Sequence, residues 1–220
     1  MLAERMDDPA LPLADYEAIL ADLERLNRLT RTHAPTLAWL HRATRALPPD
    51  TPVAILDVAC GRGDLLRAVA ASLRRPLRLD GIDLNPRAIE AARRLGGPIT
   101  YRTGDVFEFT PDPRPDFIVS SQFAHHLSDE DVVRFIRWME ANSMRGWFVS
   151  DIQRTRYAYW GFRFLCRAAG WHEVVCGDGT ASIARSFRPR EWRELLARAG
   201  IVGAEIRRHP LSRLCVGRLK

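Results

Sequence analysis

The chain has 220 residues, and its 46% hydrophobic and 27% charged content is typical of a globular protein and excludes a fibrous or disordered one. Its net charge is +6, because 33 Lys and Arg side chains oppose 27 Asp and Glu side chains. Lys220 is the sole lysine. The arginines are spread over the whole chain rather than clustered, so the charge does not by itself indicate a nucleic-acid partner.

No segment has the pattern of a membrane anchor or a secretion signal. Apolar runs fall short of the roughly 18 residues that a membrane span requires, and charged residues interrupt the N-terminal stretch MLAERMDDPA. We therefore expect a cytoplasmic protein with no membrane span. The cysteines lack CxxC or other metal-ligand spacing, which favours reduced thiols. They are Cys60, Cys166, Cys176 and Cys215.

Residues 1–48 are predicted to form a helical N-terminal extension. Apolar residues recur at helical spacing through 13–32, which predicts one helix, and a second is expected over 35–46.

Strands and helices are predicted to alternate in the domain that follows, over residues 49–220. Nearly continuous apolar strands are typical of a parallel sheet that is covered on both faces. One intervening helix is expected to begin with Asn85 as its N-cap and Pro86 at its first position. The expected fold is a doubly wound α/β domain with a mostly parallel sheet. The predicted strands cover 53–59, 77–83, 99–103, 116–121, 146–151, 201–210 and 211–220, the last two following a helix that ends at Gly200.

In such a sheet, ligands bind where the strands end. The first strand is followed by DVACGRGD, in which Gly61 and Gly63 allow a tight turn and a close approach of the backbone to a ligand. Leu66 occupies the position of the third glycine of a dinucleotide fingerprint, which disfavours a pyrophosphate site.

Two further acidic residues follow strand ends. Asp83, at the end of the second strand, could accept hydrogen bonds from both hydroxyls of a ribose. Asp105, just past the third strand, could accept from an adenine amino group while Val106 and Phe107 pack against the ring. Together with the glycine loop, these residues predict a pocket for an adenine nucleoside without phosphates.

These segments resemble the class I S-adenosylmethionine-dependent methyltransferases. The resemblance covers about residues 50–151, through ILDVACGRGDLL, GIDLNPRAIEAAR, YRTGDVFEF and FIVSSQFAHHLSDEDVVRFI. It implies a Rossmann-like, seven-stranded sheet with an antiparallel C-terminal strand. It also implies S-adenosylmethionine as cofactor and S-adenosylhomocysteine as product. The implied cofactor contacts are Asp57, Ala59, Gly61 and Gly63 at the methionine end, Asp83 and Leu84 at the ribose, Asp105 and Val106 at the adenine, and Ser121 and Gln122 beside the sulfonium.

A narrower resemblance is to bacterial small-molecule methyltransferases related to ubiquinone and menaquinone methylases, including those encoded beside type III polyketide synthases. It rests on LERLNRLT, DIQRTRYAYWGFRFL and VVCGDGTASIARSFRPREW. The implied acceptor is a phenolic or quinone-like small molecule, methylated on oxygen or on a ring carbon. Asn27 and Arg28 would close over the cofactor, unless they belong to a solvated helix face. We expect a monomer or a homodimer. An RNA methyltransferase and a non-catalytic cofactor-binding protein are the rival interpretations.

The adjacent pair His125 and His126 lies between the fourth strand and a predicted helix. Ser128 and Asp131 fit a capping box, so this helix begins after the pair. Metal binding is disfavoured, because adjacent side chains of an extended chain point in opposite directions and Asp151 has no acidic neighbour. Three roles stay open for either histidine: a catalytic base, a wall of the substrate pocket, or a residue that fixes the loop by hydrogen bonds.

The segment 152–186 is interpreted as a substrate-lid insertion. Its aromatic residues at helical spacing predict either a helix packed on the domain or a lid over an aromatic substrate. The candidate substrate contacts are Phe123, Arg154, Tyr157 and Trp160.

Overall fold

The computed structural model describes residue 8 and residues 10–169 and 173–220 of the chain. Residues 1–7 and 9 of the predicted N-terminal extension therefore lie outside the described residues, and so do residues 170–172 of the predicted insertion.

The described chain contains one seven-stranded sheet with helices on both faces. The strands are β1 Val53–Val58, β2 Leu77–Asp83, β3 Ile99–Thr103, β4 Phe117–Ser121, β5 Gly146–Ile152, β6 Glu205–His209 and β7 Arg213–Leu219. The helices are α1 Leu13–Leu29, α2 Ala34–Thr44, α3 Asp64–Ser72, α4 Pro86–Arg94, α5 Asp129–Asn142, α6 Arg156–Ala169, α7 Glu173–Arg185 and α8 Pro189–Ala199.

The strand order is β3-β2-β1-β4-β5-β7-β6, and the pairings are parallel except for those of β7, which runs antiparallel to both β5 and β6. This confirms the predicted sheet and its single antiparallel strand. The order reverses at β1, which pairs with β2 on one side and β4 on the other. A crevice for a ligand is expected outside the carboxyl ends of these strands.

The alternation of side chains along β5 shows how the sheet separates two cores. Trp147 is fully buried in the cluster that includes Phe135 of α5 and Trp192 of α8. Phe148 faces the opposite cluster, where its ring stacks on Trp39 of α2 with the centroids 5.1 Å apart. The sheet is therefore covered on both faces, as its apolar strands predict.

Local signals account for several helix ends. Asn85 accepts a hydrogen bond from the backbone N–H of Arg87 at 3.0 Å, which confirms the predicted N-cap of α4.

The prediction that the first helix continues to residue 32 is wrong. It ends at Leu29 because Arg31 adopts a left-handed conformation with φ of 49°. The predicted sixth strand also begins too early, since residues 201–204 form the exit from α8 before β6 starts at Glu205.

Helices α1, α6 and α7 lie over the carboxyl edge of the sheet. Ile19 of α1 packs on Val175 of α7, and both are buried. A disulfide joins Cys166 to Cys176, so the prediction of reduced thiols is wrong for this pair. The spacing of these cysteines in the sequence does not indicate a disulfide, because α6 and α7 bring them together by packing side by side.

No helix in the described part of the chain is both long and apolar enough to cross a membrane.

Candidate active site

A cavity of about 750 Å³ opens at the carboxyl ends of β1, β4 and β5, beneath α1, α6 and α7. Its wall combines polar residues from the strand-end loops with apolar residues from the helices above them. The polar wall includes Asn27, His33, Asp57, Gly61, Asp64, Ser121, Gln122, His125, His126 and Arg213, and the apolar wall includes Ile19, Leu23, Phe162, Leu165 and Ile183.

The loop after β1 has the tight geometry that its glycines predict. Gly61 and Gly63 have φ of 53° and 78°, and Ala59 also adopts a positive φ of 57°. A Cβ on Gly63 would lie 2.0 Å from the hydroxyl oxygen of Tyr101, so no larger residue fits there without displacing that ring. The loop is therefore strained at Ala59 and closely packed at Gly63, whereas a Cβ on Gly61 would meet no atom within 4 Å, which leaves the backbone there open to a ligand.

Two carboxylates of the cavity wall, Asp57 and Asp64, and a third just outside it, Asp83, make this region acidic. Asp57 is 2% exposed, and its Oδ1 has no hydrogen-bond partner among the described residues. Burial raises the pKa of Asp57 well above its usual value, and the nearby charges of Asp64 and Asp83 raise it further. A cationic ligand group would relieve both the repulsion and the missing hydrogen bond.

Asp64 is ionised in a network that reaches α1. Its Oδ2 accepts hydrogen bonds from Asn27 Nδ2 at 2.9 Å and contacts His33 Nε2 at 2.9 Å. Burial acts to raise the pKa of Asp64, but these hydrogen bonds and the charge of His33 outweigh it, and the pKa is lowered. Asn27 Oδ1 also accepts from Gln122 Nε2 at 3.0 Å. A single side chain of α1 thus connects the loops after β1 and β4.

The structure separates the two predicted closing residues. Asn27 lies in the cavity wall, whereas the side chain of Arg28 is 77% exposed and contacts Glu24 at 3.5 Å. The interpretation as a solvated helix face therefore fits Arg28 and not Asn27.

The predicted ribose and adenine contacts lie at strand ends but outside the cavity wall. Asp83 accepts from the backbone N–H of Gly61 at 2.8 Å and of Asn85 at 2.9 Å. Asp105 accepts from the backbone N–H of Phe107 at 2.9 Å. Val106 is buried in the core, whereas Leu84 beside Asp83 is 52% exposed.

Ser121 and Gln122 form the wall after β4. The Ser121 hydroxyl is buried and has no hydrogen-bond partner among the described residues. Gln122 has a φ of 57°, which turns its side chain toward Asn27. A left-handed conformation is costly for a residue other than glycine, and such strain concentrates at functional sites.

His125 forms a buried pair with Asp151 at the end of β5. The ring atom Nδ1 lies 2.7 Å from Asp151 Oδ1, and the backbone N–H of His125 donates to Asp151 Oδ2 at 3.0 Å. Burial acts to raise the pKa of Asp151, but the charge and hydrogen bonds of His125 lower it. An ionised Asp151 holds the proton of a neutral imidazole on Nδ1, which makes Nε2 the basic nitrogen.

His126 follows in a short 3-10 turn over Ala124–His126, and its ring lies 4.2 Å from that of His125 between centroids. The expectation that the two side chains point in opposite directions is therefore wrong, since the backbone is not extended here. The capping box is confirmed in part, because Ser128 Oγ accepts from the N–H of Asp131 at 3.1 Å. Within the described ranges, no three His, Cys, Asp or Glu side chains are grouped as metal ligands.

Of the predicted substrate contacts, only Tyr157 reaches the cavity wall. Phe123 is buried in the core, where its ring packs edge-on against Phe135 at 5.2 Å. Arg154 bonds Glu191 of α8. Trp160 is 62% exposed and lies under the guanidinium of Arg163. The helical spacing of Tyr157 and Trp160 shows which residues of α6 share a face, but not which face turns toward the cavity.

Sequence reasoning missed Asp151 and Arg213 as members of the site. A signal for Asp151 was present, because β4 and β5 are parallel neighbours in register from Phe117 and Gly146. Residues that follow β4 therefore lie beside the end of β5, where a carboxylate can reach a histidine. No comparable signal marks Arg213, which depends on the antiparallel insertion of β7 beside β5.

Comparison with known proteins finds similarity to methyltransferases. A family model described as a methyltransferase domain matches residues 55–142. An indolepyruvate C-methyltransferase from Streptomyces griseus is 33% identical over 85 residues, which cover 35% of this chain and 25% of that protein. An uncharacterized methyltransferase from Bacillus pumilus (strain SAFR-032) is 33% identical over 78 residues, 35% of each chain. The matched region thus spans a quarter to about a third of these curated relatives.

Solved structures match nearly the whole chain in fold. The plantazolicin methyltransferase BpumL in complex with SAH has a TM-score of 0.73 at 17% identity, covering 97% of this chain and 91% of that one. Magnesium protoporphyrin IX methyltransferase (ChlM) from Synechocystis PCC 6803 with bound SAH has a TM-score of 0.59 at 15% identity, covering 98% and 91%. Residues 55–142 thus match a methyltransferase domain, and the chain as a whole shares its fold with these SAH-bound methyltransferases.

Proposed function

We propose that the protein transfers a methyl group from S-adenosylmethionine to a hydroxyl group of a phenolic or quinone-like small molecule, an activity of class EC 2.1.1.-. The observation that carries the proposal is the buried His125–Asp151 pair, in which His125 lines the same cavity as the acidic glycine loop. A base is thus held beside the place where a cofactor would bind.

The residues present fit S-adenosylmethionine, which supplies an electrophilic methyl group on a positively charged sulfur when bound. Asp57 has a buried oxygen without a partner among the described residues, and the acidic cluster around it suits a ligand with cationic groups. Gly61 leaves the backbone of the loop open, because a Cβ there would meet no atom within 4 Å. Asp83 stands at the end of β2, where its carboxylate can accept from ribose hydroxyls.

The acceptor side of the cavity favours an apolar or aromatic molecule. Ile19 and Leu23 of α1, Phe162 of α6 and Ile183 of α7 line this part of the wall. A cavity of about 750 Å³ lies within the range of small-molecule sites.

The chemistry that the chain itself must supply is positioning and removal of a proton. A phenol with a pKa of about 10 is ionised to roughly one part in a thousand at neutral pH, a handicap of about 4 kcal/mol. His125 Nε2 accepts the phenolic proton, and the charge of Asp151 stabilises the imidazolium that forms. Nucleophile and methyl group held in line supply most of the remaining rate enhancement.

Methylation on carbon is the second candidate, and the sequence match to an indolepyruvate C-methyltransferase favours it. The same base would then remove a proton from an acidic C–H or from an enol of the acceptor. Methylation on oxygen and on carbon would both use this cavity and the His125–Asp151 pair, so the two candidate reactions differ only in the atom that receives the methyl group.

The test is to incubate the protein with S-adenosylmethionine labelled in its methyl group and with extract from cells that lack the gene. We expect one labelled small molecule, whose NMR spectrum distinguishes an O-methyl from a C-methyl product. Label that appears in the RNA fraction, with none in small molecules, would contradict the proposal. A protein that binds S-adenosylhomocysteine yet labels nothing would favour the non-catalytic rival.

A further inference from the structure

We propose that the methyl acceptor carries a carboxylate, and that Arg213 binds it inside the cavity. This inference rests on the proposed function and specifies its substrate class. Arg213 is the first residue of β7 and pairs with Ile152 at the end of β5. Its side chain lies in the cavity wall and is only 6% exposed.

The guanidinium of Arg213 is incompletely bonded. Its Nη2 donates to Thr32 Oγ1 at 2.5 Å, whereas its buried Nη1 has no hydrogen-bond partner among the described residues. Burial lowers the pKa of Arg213, while the charge of Asp151 opposes this shift. An arginine remains protonated even so. A buried cation with an unused donor is unfavourable unless a ligand supplies the acceptor.

The nearby acidic residues do not supply this hydrogen-bond acceptor for Arg213. Asp151 acts on Arg213 through space, but its oxygens already accept from His125 and from the backbone N–H of Ile152. No salt bridge to Arg213 occurs in the described part of the chain, whereas Arg62, another arginine of the wall, pairs with Glu24 at 3.3 Å. Of the two arginines in the described cavity wall, Arg213 is therefore the one without an ion pair, which suits it to meet an anionic ligand.

The turn before β7 holds Arg213 in a fixed position. Leu211 and Ser212 have φ of 58° and 56°, a conformation that is costly for two successive residues other than glycine. The carbonyl of Ser212 accepts from the backbone N–H of Gln153 at 2.7 Å, which ties the turn to the end of β5. The backbone that carries Arg213 is therefore held by a constrained hairpin at the cavity wall.

A carboxylate fits this site better than a phosphate does. A single guanidinium with one open nitrogen offers too few donors for a phosphate dianion, and the wall above it is apolar. The acceptor is therefore an aromatic or apolar acid with one anionic group.

The carboxylate of S-adenosylmethionine is the other source of the same chemistry. The strand order puts β4 and β5 between β1 and β7. At about 4.8 Å per strand, Arg213 stands roughly 14 Å along the sheet from the glycine loop. It stands instead beside the His125–Asp151 pair, where the acceptor would lie. The position favours the acceptor's carboxylate over that of the cofactor.

The experiment compares matched acids and primary amides as probes: 4-hydroxycinnamate, 2-naphthoate and indole-3-acetate, each with its uncharged amide. Binding is measured by titration calorimetry with S-adenosylhomocysteine at saturation. We expect at least one acid to bind wild-type protein about 10- to 100-fold more tightly than its amide, the range for a charge-assisted hydrogen bond. Arg213→Gln removes this preference while the affinity for S-adenosylhomocysteine changes less than about twofold.

Arg208→Gln is the matched control, because it removes the same charge from an exposed position on β6 that pairs with Leu214. It should keep the preference, and Arg213→Lys should keep part of it. If no acid outbinds its amide in wild-type protein, or if neither binds, the proposal is overturned. The wild-type comparison holds even if the variant does not fold. If Arg213→Gln weakens S-adenosylhomocysteine binding as much as it weakens acid binding, the arginine belongs to the cofactor site. That result also overturns the proposal.

Discussion

At the scale of single residues, the proposed chemistry depends on the buried His125–Asp151 pair. We predict that His125→Gln lowers kcat by about 100-fold or more, the range for a lost general base, and leaves the KM for S-adenosylmethionine nearly unchanged. The acid limb of the pH–rate profile, which records protonation of the base, disappears in this variant. Initial rates with the acceptor identified by labelling test this prediction.

His126→Gln serves as the matched control, since its ring contacts that of His125 at a tilt of 33° and lies in the same wall. A smaller loss is expected, with the acid limb retained. If rates and pH profiles of both variants match those of the wild type, the pair is only a pocket wall.

Asp57 is predicted to reduce stability in favour of ligand binding. Its pKa in the folded protein is raised, chiefly by burial. The stability it contributes is therefore present below its unfolded pKa of about 3.9 and lost as the pH rises through the folded value. At neutral pH, Asp57→Asn should raise the Tm of the ligand-free protein and weaken S-adenosylhomocysteine binding by about 10-fold.

Melting curves from pH 4 to 8, with and without S-adenosylhomocysteine, check both halves of this prediction. Asp80→Asn is the control, since Asp80 is a more exposed carboxylate of β2 outside the cavity wall. A variant that melts below the wild type at pH 7 and binds S-adenosylhomocysteine equally well would refute the assigned role.

At the scale of elements, α1 closes the site through one side chain. Asn27→Ala removes the bonds to both Asp64 and Gln122, so the affinity for S-adenosylhomocysteine should fall about 5- to 10-fold. Arg28→Ala should leave that affinity unchanged, because the side chain is 77% exposed and bonds only Glu24 among the described residues. Titration calorimetry distinguishes the two. Equal losses, or a loss confined to Arg28→Ala, would contradict the placement of α1.

Patterns in the sequence predict those parts of the fold that depend on residues close together in the chain. Apolar runs place β2 and β3 at their observed bounds, and Asn85 with Pro86 places the start of α4. Glycines predict the turn after β1 because its backbone needs positive φ. The end of α1 was missed, since the left-handed conformation of Arg31 has no counterpart in residue type.

Contacts between distant segments were less predictable. The Cys166–Cys176 disulfide depends on how α6 and α7 pack, and the burial of Phe123 depends on Phe135 of α5. Asp151 could have been paired with His125 from the order of the parallel strands. Arg213 could not have been found in this way, because its place in the cavity wall follows from the antiparallel return of β7 beside β5.

At the scale of the whole molecule, the sheet order arranges the site from one side to the other. Acidic groups and the glycine loop follow β1 and β2, the His125–Asp151 pair joins β4 to β5, and Arg213 begins β7. In the proposed complex, a cationic group of the cofactor would face the acidic residues, an anionic acceptor would face Arg213, and His125 would lie between them.

The central claim, that the strand-end site binds S-adenosylmethionine and its product, is tested most directly by thermal unfolding of the purified protein. S-adenosylhomocysteine at 100 times its Kd should add about 2.7 kcal/mol of stability, which corresponds to a rise in Tm of roughly 5–10 °C for a chain of this size. NAD at the same concentration should give no shift. Stabilisation by NAD, or no stabilisation by S-adenosylhomocysteine at any concentration up to millimolar, would contradict the claim.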